Sequence, residues 1–302
     1  MTDRFMYGWR VRSEIALPEL TPWLGDDRLA DVVIRVGAVP KQLDDAVYRD
    51  RVLEIGRDGA ALLTAAGIAI IWVRAPDEII VSPHPEASAD EIRLVLFGSA
   101  VGCLCHLRGF FPLHGACIGI GERAVVFAGP SGAGKSTIAA YLCERGHRLV
   151  ADDVSAIEIL NGVASVWPAF PRLKLDPDAY RTLALDHSEP AQPALIRGKY
   201  HLDRRRSFRS EPVPLAAIVL LEQPGADGAA SLARLHGNLA SMTRLYADVF
   251  RPVVASALGG PRRLFAIQAE IVRTVPIYLW RRRFDFEAMN AWIDQLERLA
   301  DE

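Results

Sequence analysis

Lys135 and Ser136 close the run Gly129-Pro130-Ser131-Gly132-Ala133-Gly134-Lys135-Ser136, which fits G-x-x-x-x-G-K-[ST] at every fixed position. The chemistry suited to this spacing is the holding of phosphate. The glycines let the backbone turn its N–H groups inward as an anion nest, and the loop opens straight onto a helix N-terminus. Lys135 can then reach terminal phosphates and the Ser136 hydroxyl can take a place on Mg²⁺, with Thr137 next in the cradle.

Two further groups stand close in sequence. Asp152-Asp153 follows His147–Ala151, which reads as a strand. A carboxylate at such a strand end is where phosphate-binding loops hold a metal ion or its waters. Neighbouring strand residues face opposite ways, so the two acids can divide their roles. One orients the metal while the other accepts a proton from an incoming hydroxyl. Asp153 with Ser136 on the metal and Asp152 on the proton is one assignment, and the exchange of the two acids is the other. His114 enters through register. Gly115–Ile120 and Arg123–Ala128 flank Gly121-Glu122, a two-residue hairpin signal. If Ile120 pairs with Arg123, His114 falls opposite Gly129, beside the mouth of the loop.

The elements that must position these groups are legible around them. Ala124–Ala128 reads as a buried strand entering the loop, Ser136–Arg145 as the helix leaving it, and Gly146 as its stop. Downstream, Asn161-Gly162 marks a second hairpin, and Pro171–Leu175 is a strand before a helix at Asp176-Pro177. Asp186–Gly198 reads as a surface loop. Leu215–Leu221 is a buried strand; from Ser231 the pattern turns helical, with a late strand at Val275–Leu279 and a closing helix over Phe286–Leu299. Lys199 and the arginines 204–206 and 209 form a basic cluster suited to phosphate.

Upstream, Val11–Pro85 is β-rich, with short runs at Asp31–Gly37, Val52–Ile55, Gly67–Val73 and Glu78–Val81. This predicts a small antiparallel sheet, with Pro83-His84-Pro85 as linker and a helix capped by Ser88 that continues to Leu107. The expected domains are a β-rich one over residues 1–87 and a second over 88–302.

Composition sets the bounds. A net charge of −2 offers no bulk affinity for nucleic acid or anionic membrane. The N-terminus lacks the apolar core of a signal peptide. The longest apolar runs, Ala60–Val73 and Leu94–Leu107, fall short of the roughly 20 residues a spanning helix needs. Cys103, Cys105, Cys117 and Cys143 make no C-x-x-C pair and read as buried free thiols. A cytoplasmic location is expected. Of 35 basic residues only Lys41, Lys135, Lys174 and Lys199 are lysines. In an arginine-rich chain, a retained lysine points to a place where a compact ammonium is required.

The stretch His114–Asp153 resembles the core of bacterial HPr kinase/phosphorylase and its kinase-like relatives. The likeness rests on His114-Gly115, on GPSGAGKS, and on RGHRLVADD at 145–153. It implies an α/β fold related to phosphoenolpyruvate carboxykinase, with the phosphate loop in a mixed sheet and a small β-rich domain in front. It also implies phosphoryl transfer to a protein serine hydroxyl from ATP or pyrophosphate, with ATP and Mg²⁺ as the expected cofactors. Carried over, Lys135 and Ser136 hold phosphate and metal, Asp152 and Asp153 are the acidic pair, and His114 is the acid–base partner. Lys199 and an arginine from 204–206 then close over the transferred group. The best-known members are hexamers, which makes a homo-oligomer an expectation. RLKL at 172–175 and RGKYHLD at 197–203 look more like the shorter relatives, some associated with ribosomally made precursor peptides such as lasso peptides. The kinase/phosphorylase carries a hydrophobic continuation after I-R-G. Here Ile196-Arg197-Gly198 is followed by Lys199-Tyr200-His201, which points away from HPr as acceptor and from phosphorolysis. The competing readings are a nucleotide-gated regulator or peptide-binding module without phosphotransfer, and a small-molecule kinase on the same scaffold.

Overall fold

The computed structural model describes residues 3–183, 194–196, 198–223, 230–258, 261–282 and 286–301. The chain forms two compact units, Met1–Pro112 with Phe250–Ile267, and Leu113–Val249 with Gln268–Glu302. The units therefore divide after Pro112 rather than at residue 87.

The first unit is built on nine strands: β1 (Arg4–Met6), β2 (Trp9–Ser13), β3 (Thr21–Pro22), β4 (Val32–Val36), β5 (Ala46–Arg49), β6 (Leu53–Gly56), β7 (Ala61–Ala65), β8 (Ala69–Ala75) and β9 (Glu78–Pro83). They form one sheet in the order β3-β1-β2-β4-β9-β8-β7-β6-β5. The sheet is mixed, not antiparallel as expected, because β4 pairs in parallel with both β2 and β9. Strand β8 alternates buried and half-buried residues from Ala69 to Val73, the signature of a sheet with one face covered.

Ser88 caps the helix that follows, α1 (Ala89–Val95), through a reciprocal capping box with Glu91. A π-helical turn at Leu96–Ala100 leads into α2 (Val101–Leu107). The π turn and α2 lie on β7 and β8. That packing places residues 89–107 with the first sheet, which is why the boundary falls later than composition suggested.

His106 on α2 is buried, with Nε2 2.6 Å from the Phe250 carbonyl oxygen. A carbonyl only accepts, so Nε2 donates. Burial pulls the His106 pKa down to about 4, the Phe250 hydrogen bond opposing and the Arg263 charge adding to the fall. The unfolded chain takes up this proton below about pH 6.5 while the folded chain refuses it until near pH 4. Stability is therefore lost as pH falls through that window, by about 3 kcal/mol from this group. Urea melts at pH 7 and pH 4.5 should show the loss in the native chain and a flatter dependence in His106→Gln; equal slopes would contradict it.

The second unit starts with β10 (Phe111–Ile120) and β11 (Arg123–Ala128), followed by α3 (Lys135–Glu144), β12 (Arg148–Ala151), β13 (Val154–Leu160), β14 (Val163–Trp167), β15 (Arg172–Leu175) and α4 (Pro177–Thr182). Next come β16 (Ala194–Ile196), β17 (Lys199–Asp203), β18 (Val213–Glu222), β19 (Ser231–Arg234) and α5 (Asn238–Tyr246). The chain then contributes α6 (Pro252–Ala257) and the start of α7 (Pro261–Thr274) to the first unit, and ends with β20 (Ile277–Arg281) and α8 (Phe286–Asp301).

The main sheet runs β11-β10-β13-β14-β18-β20-β19, with β12 joined to β10 and a further pairing of β11 to β18. The sheet is mixed, since β18 is parallel to both β11 and β20. Strands β15, β17 and β16 make a separate small sheet. One hydrophobic core joins these layers, including Ile138, Leu142, Phe127, Leu173, Leu202, Val219, Trp280 and Leu296. Burying a side chain such as Leu142 is worth about 1.5–3 kcal/mol, so α3, and with it the loop before it, is anchored from beneath.

Two expectations change. Ser231–Arg234 is a strand rather than a helix, paired antiparallel with β20. Part of the anticipated loop at 186–198 is strand β16, while residues 186–193 and 197 lie outside those described. All four cysteines are buried and unbridged. Burial pushes Cys103 up to about 12 and Cys143 to about 11, which leaves both as inert thiols. No helix among the described residues is long and apolar enough to cross a membrane.

Candidate functional site

The hairpin register is the one that the two-residue turn requires. Ile120 pairs with Arg123 and Gly115 with Ala128, so His114 stands at the level of Gly129. The strand then breaks into the loop. Gly129 takes φ +149 and lies against β18, where a Cβ would sit 2.9 Å from the Leu221 carbonyl oxygen and 3.1 Å from the Leu221 Cβ. A Gly129→Ala chain should be less stable by about 1–3 kcal/mol, through backbone strain and overpacking. A denaturant midpoint equal to that of the native chain would refute this.

Gly134 caps α3 with φ +87 and brings no side-chain hydrogen bond to the helix N-terminus. The first N–H groups of α3 are therefore left for another acceptor. Lys135 Nζ donates to Gly129 O at 2.7 Å and Pro130 O at 2.9 Å, so its ammonium is folded back over the loop. Burial lowers the Lys135 pKa, and the carboxylates of Asp248, Asp152 and Asp153 partly offset it. Arg282 supports the loop from the end of β20, donating to Ala133 O at 3.4 Å with its guanidinium 4.5 Å from the centre of the Trp280 ring. Burial brings the Arg282 pKa down to about 10.

The two acids have different partners. Asp152, 5% exposed, accepts the Ser136 hydroxyl at 2.8 Å on one oxygen and the Lys174 backbone N–H at 2.9 Å on the other. Burial and the neighbouring Asp153 charge push its pKa up. Asp153 is ion-paired to the Lys174 ammonium. Burial pulls its pKa upward, yet Lys174 outweighs burial and the carboxyl stays below its ordinary value. Asp153 also adopts φ +77, an unusual conformation for a residue with a Cβ. Its carbonyl oxygen receives Gly115 N–H at 3.2 Å and His114 Nδ1 at 3.1 Å. Nδ1 therefore carries the hydrogen, and the lone pair of a neutral ring is on Nε2. Burial and the Lys135 charge lower the His114 pKa, which favours that neutral ring. The His114 N–H donates to Asp248 O at 2.8 Å.

These groups face a cleft of about 430 Å³, lined by His114, the loop residues 131, 132 and 134–137, Asp153, Lys174 and Lys199, with Asp176, Asp178 and Thr182 from α4 and its cap, while Gly129, Pro130 and Ala133 of the expected cradle do not line it. Tyr180 packs against Tyr200 with ring centroids 4.4 Å apart and planes tilted by 36°, which seats α4 on β17.

Of the residues singled out from sequence, His114, Ser131, Gly132, Gly134, Lys135, Ser136, Thr137, Asp153 and Lys199 line the cleft, and Asp152 lies behind Ser136. The Ser136 hydroxyl pairs with Asp152, not with Asp153. The arginine cluster does not line the cleft. Arg204 is held by Glu144 at 2.8 Å, Arg205 pairs with Asp203, and Arg209 pairs with Glu122 at 2.8 Å. Lys174, Asp176, Asp178, Asp248 and Arg282 were not singled out as site residues. Only Lys174 carried a signal, as one of four lysines, three of which meet in this cleft. Ser136 Oγ and the Asp152 carboxylate are hard oxygen donors of the kind that hold Mg²⁺ when substrate phosphates supply the remaining ligands.

Residues 108–166 match the family model of the HPr serine kinase C-terminal domain. The chain is 48% identical over 50 residues to the HPr kinase/phosphorylase of Treponema pallidum strain Nichols, covering 17% of this chain and 16% of that protein. It is 40% identical over 77 residues to the HPr kinase/phosphorylase of Aromatoleum aromaticum, covering 25% and 22%. The solved Hpr(Ser) kinase/phosphatase from Coxiella burnetii is similar at a TM-score of 0.33 and 15% identity, over 62% of this chain and 93% of that one. The chain thus spans between 16% and 22% of the length of these two curated relatives. Lys174 and Lys199 lie beyond the family match, whereas His114, the glycine loop and both aspartates lie within it. Over that segment, the chain is similar to the HPr kinase-like family.

Proposed function

We propose that this chain is an ATP- and Mg²⁺-dependent kinase that phosphorylates a serine hydroxyl of a protein or a ribosomally made precursor peptide. The observation that carries the reading is the meeting of Lys135, Ser136, Asp153 and His114 on one cleft at the start of α3, where the Gly134 cap brings no side-chain hydrogen bond. The backbone N–H groups of residues 131, 132 and 134–136, with the Lys135 ammonium, take the β- and γ-phosphates. Ser136 and Asp152 hold the metal, a role supported by their hydrogen bond and by the burial that makes Asp152 seek a cation. Mg²⁺, when bound, neutralises charge developing on the phosphate oxygens.

The acceptor oxygen forms a bond to the γ-phosphorus as the bond from that phosphorus to the β–γ bridging oxygen breaks. ADP leaves with that electron pair, and the hydroxyl proton passes to the Asp153 carboxylate. His114 holds the Asp153 backbone through its Nδ1 hydrogen, and Lys199 stands on the wall lined by α4. The similarity to HPr kinase/phosphorylases over the loop segment supports phosphoryl transfer.

Incubation with γ-labelled ATP, Mg²⁺ and candidate acceptor proteins or peptides, followed by mass spectrometry, tests the reading. Phosphoserine on an acceptor is the expected result. Nucleotide affinity without any phosphorylated product would instead favour a nucleotide-gated binding module.

A further inference from the structure

We propose that the Lys174 ammonium stands in for a second divalent cation beside Asp153, so that the cleft works with one metal ion, held at Ser136 and Asp152. This rests on the reading of the cleft as a site for a nucleoside triphosphate and its metal.

Paired carboxylates beside a triphosphate are commonly shared by two divalent ions, one on each side of the transferred group. Here the pair is already divided. Asp152 turns one oxygen to Ser136 and the other to the Lys174 backbone N–H, while Asp153 is taken by the Lys174 side chain. A single residue thus engages both acids, one through its backbone and one through its ammonium. Its place is fixed by a sheet rather than a loop, since Lys174 lies on β15 and pairs with His201 on β17.

The choice of side chain fits the role. An ammonium is a compact point charge, as a metal ion is, whereas a guanidinium is a planar fork. This chain uses lysine at only four places, and here one faces the cleft with its side chain 14% exposed. A divalent ion at Asp153 would meet the Lys174 charge at close range and would strip a largely buried ammonium of its carboxylate. Among the described residues, no group of three or more His, Cys, Asp and Glu is placed to hold a metal ion. An ion in this cleft therefore draws most of its ligands from phosphate and water, as Mg²⁺ does in such sites.

The test counts ions. The full chain, saturated with a non-hydrolysable ATP analogue, is titrated with Mn²⁺ and free Mn²⁺ is followed by electron paramagnetic resonance. The native chain is expected to bind one Mn²⁺, Lys174→Arg one, and Lys174→Met two, because Asp153 is then released to a second ion. Two ions on the native chain would overturn the proposal without reference to any variant, and so would one ion on a folded Lys174→Met chain. A native chain that binds neither the analogue nor Mn²⁺ would overturn the kinase reading and this inference with it. The two failures are distinguished by whether the analogue binds.

Discussion

Replacing Lys135 with alanine should leave a folded chain that transfers phosphate at least about 10³-fold more slowly than the native one. The expectation follows from where the ammonium sits. Lys135 Nζ is held by the carbonyls of Gly129 and Pro130, at the centre of the loop that would receive the phosphates. An acceptor made of carbonyl oxygens is a weak substitute for a phosphate, so the side chain is poised to turn to an incoming anion. The helix that begins at Lys135 is anchored by Ile138, Ala139, Leu142 and Cys143, none of which depends on the ammonium. Thermal melts should therefore stay close to native while labelled product disappears. A variant that keeps its rate would remove this loop as the donor site.

Asp153→Asn should lower the turnover number by about 10²–10⁴ while nucleotide affinity changes little. Asparagine keeps the size and tolerates a positive φ, so the backbone that receives His114 and Gly115 is retained. What is lost is the carboxylate that accepts the proton. A parallel Asp152→Asn chain should behave differently, with weakened Mn²⁺ binding in the presence of nucleotide, because Asp152 is the acid bonded to Ser136. If the two variants exchanged these effects, the roles of the acids would have to be exchanged as well.

Much of this site was legible because its parts are local. The turn at Gly121-Glu122 fixes a hairpin register over a few residues, and that register alone carries His114 to Gly129. The loop, α3 and Asp152-Asp153 follow one another within a single strand–loop–helix–strand unit. Lys174 was not legible as a site residue because nothing local places it. Its position depends on β15 pairing with β17, an antiparallel match across a stretch that composition marks only as polar. The basic run at 204–209 misled for the complementary reason. Charge in sequence does not reveal partners, and Glu144, Asp203 and Glu122 are supplied by other segments or by near neighbours. The front sheet shows the same limit: short alternating runs identify strands, but parallel pairing of β4 with β2 and β9 is a property of connections.

The left-handed backbone at Asp153 has an evolutionary corollary. A residue with a Cβ in that conformation costs of order 1–3 kcal/mol, which glycine would not incur. Glycine alone would leave the Lys174 ammonium without its carboxylate, so a library selected only for survival on heating should reach glycine here only together with an uncharged residue at 174, and such winners would be idle. A library selected for turnover should hold aspartate there and recover its robustness elsewhere.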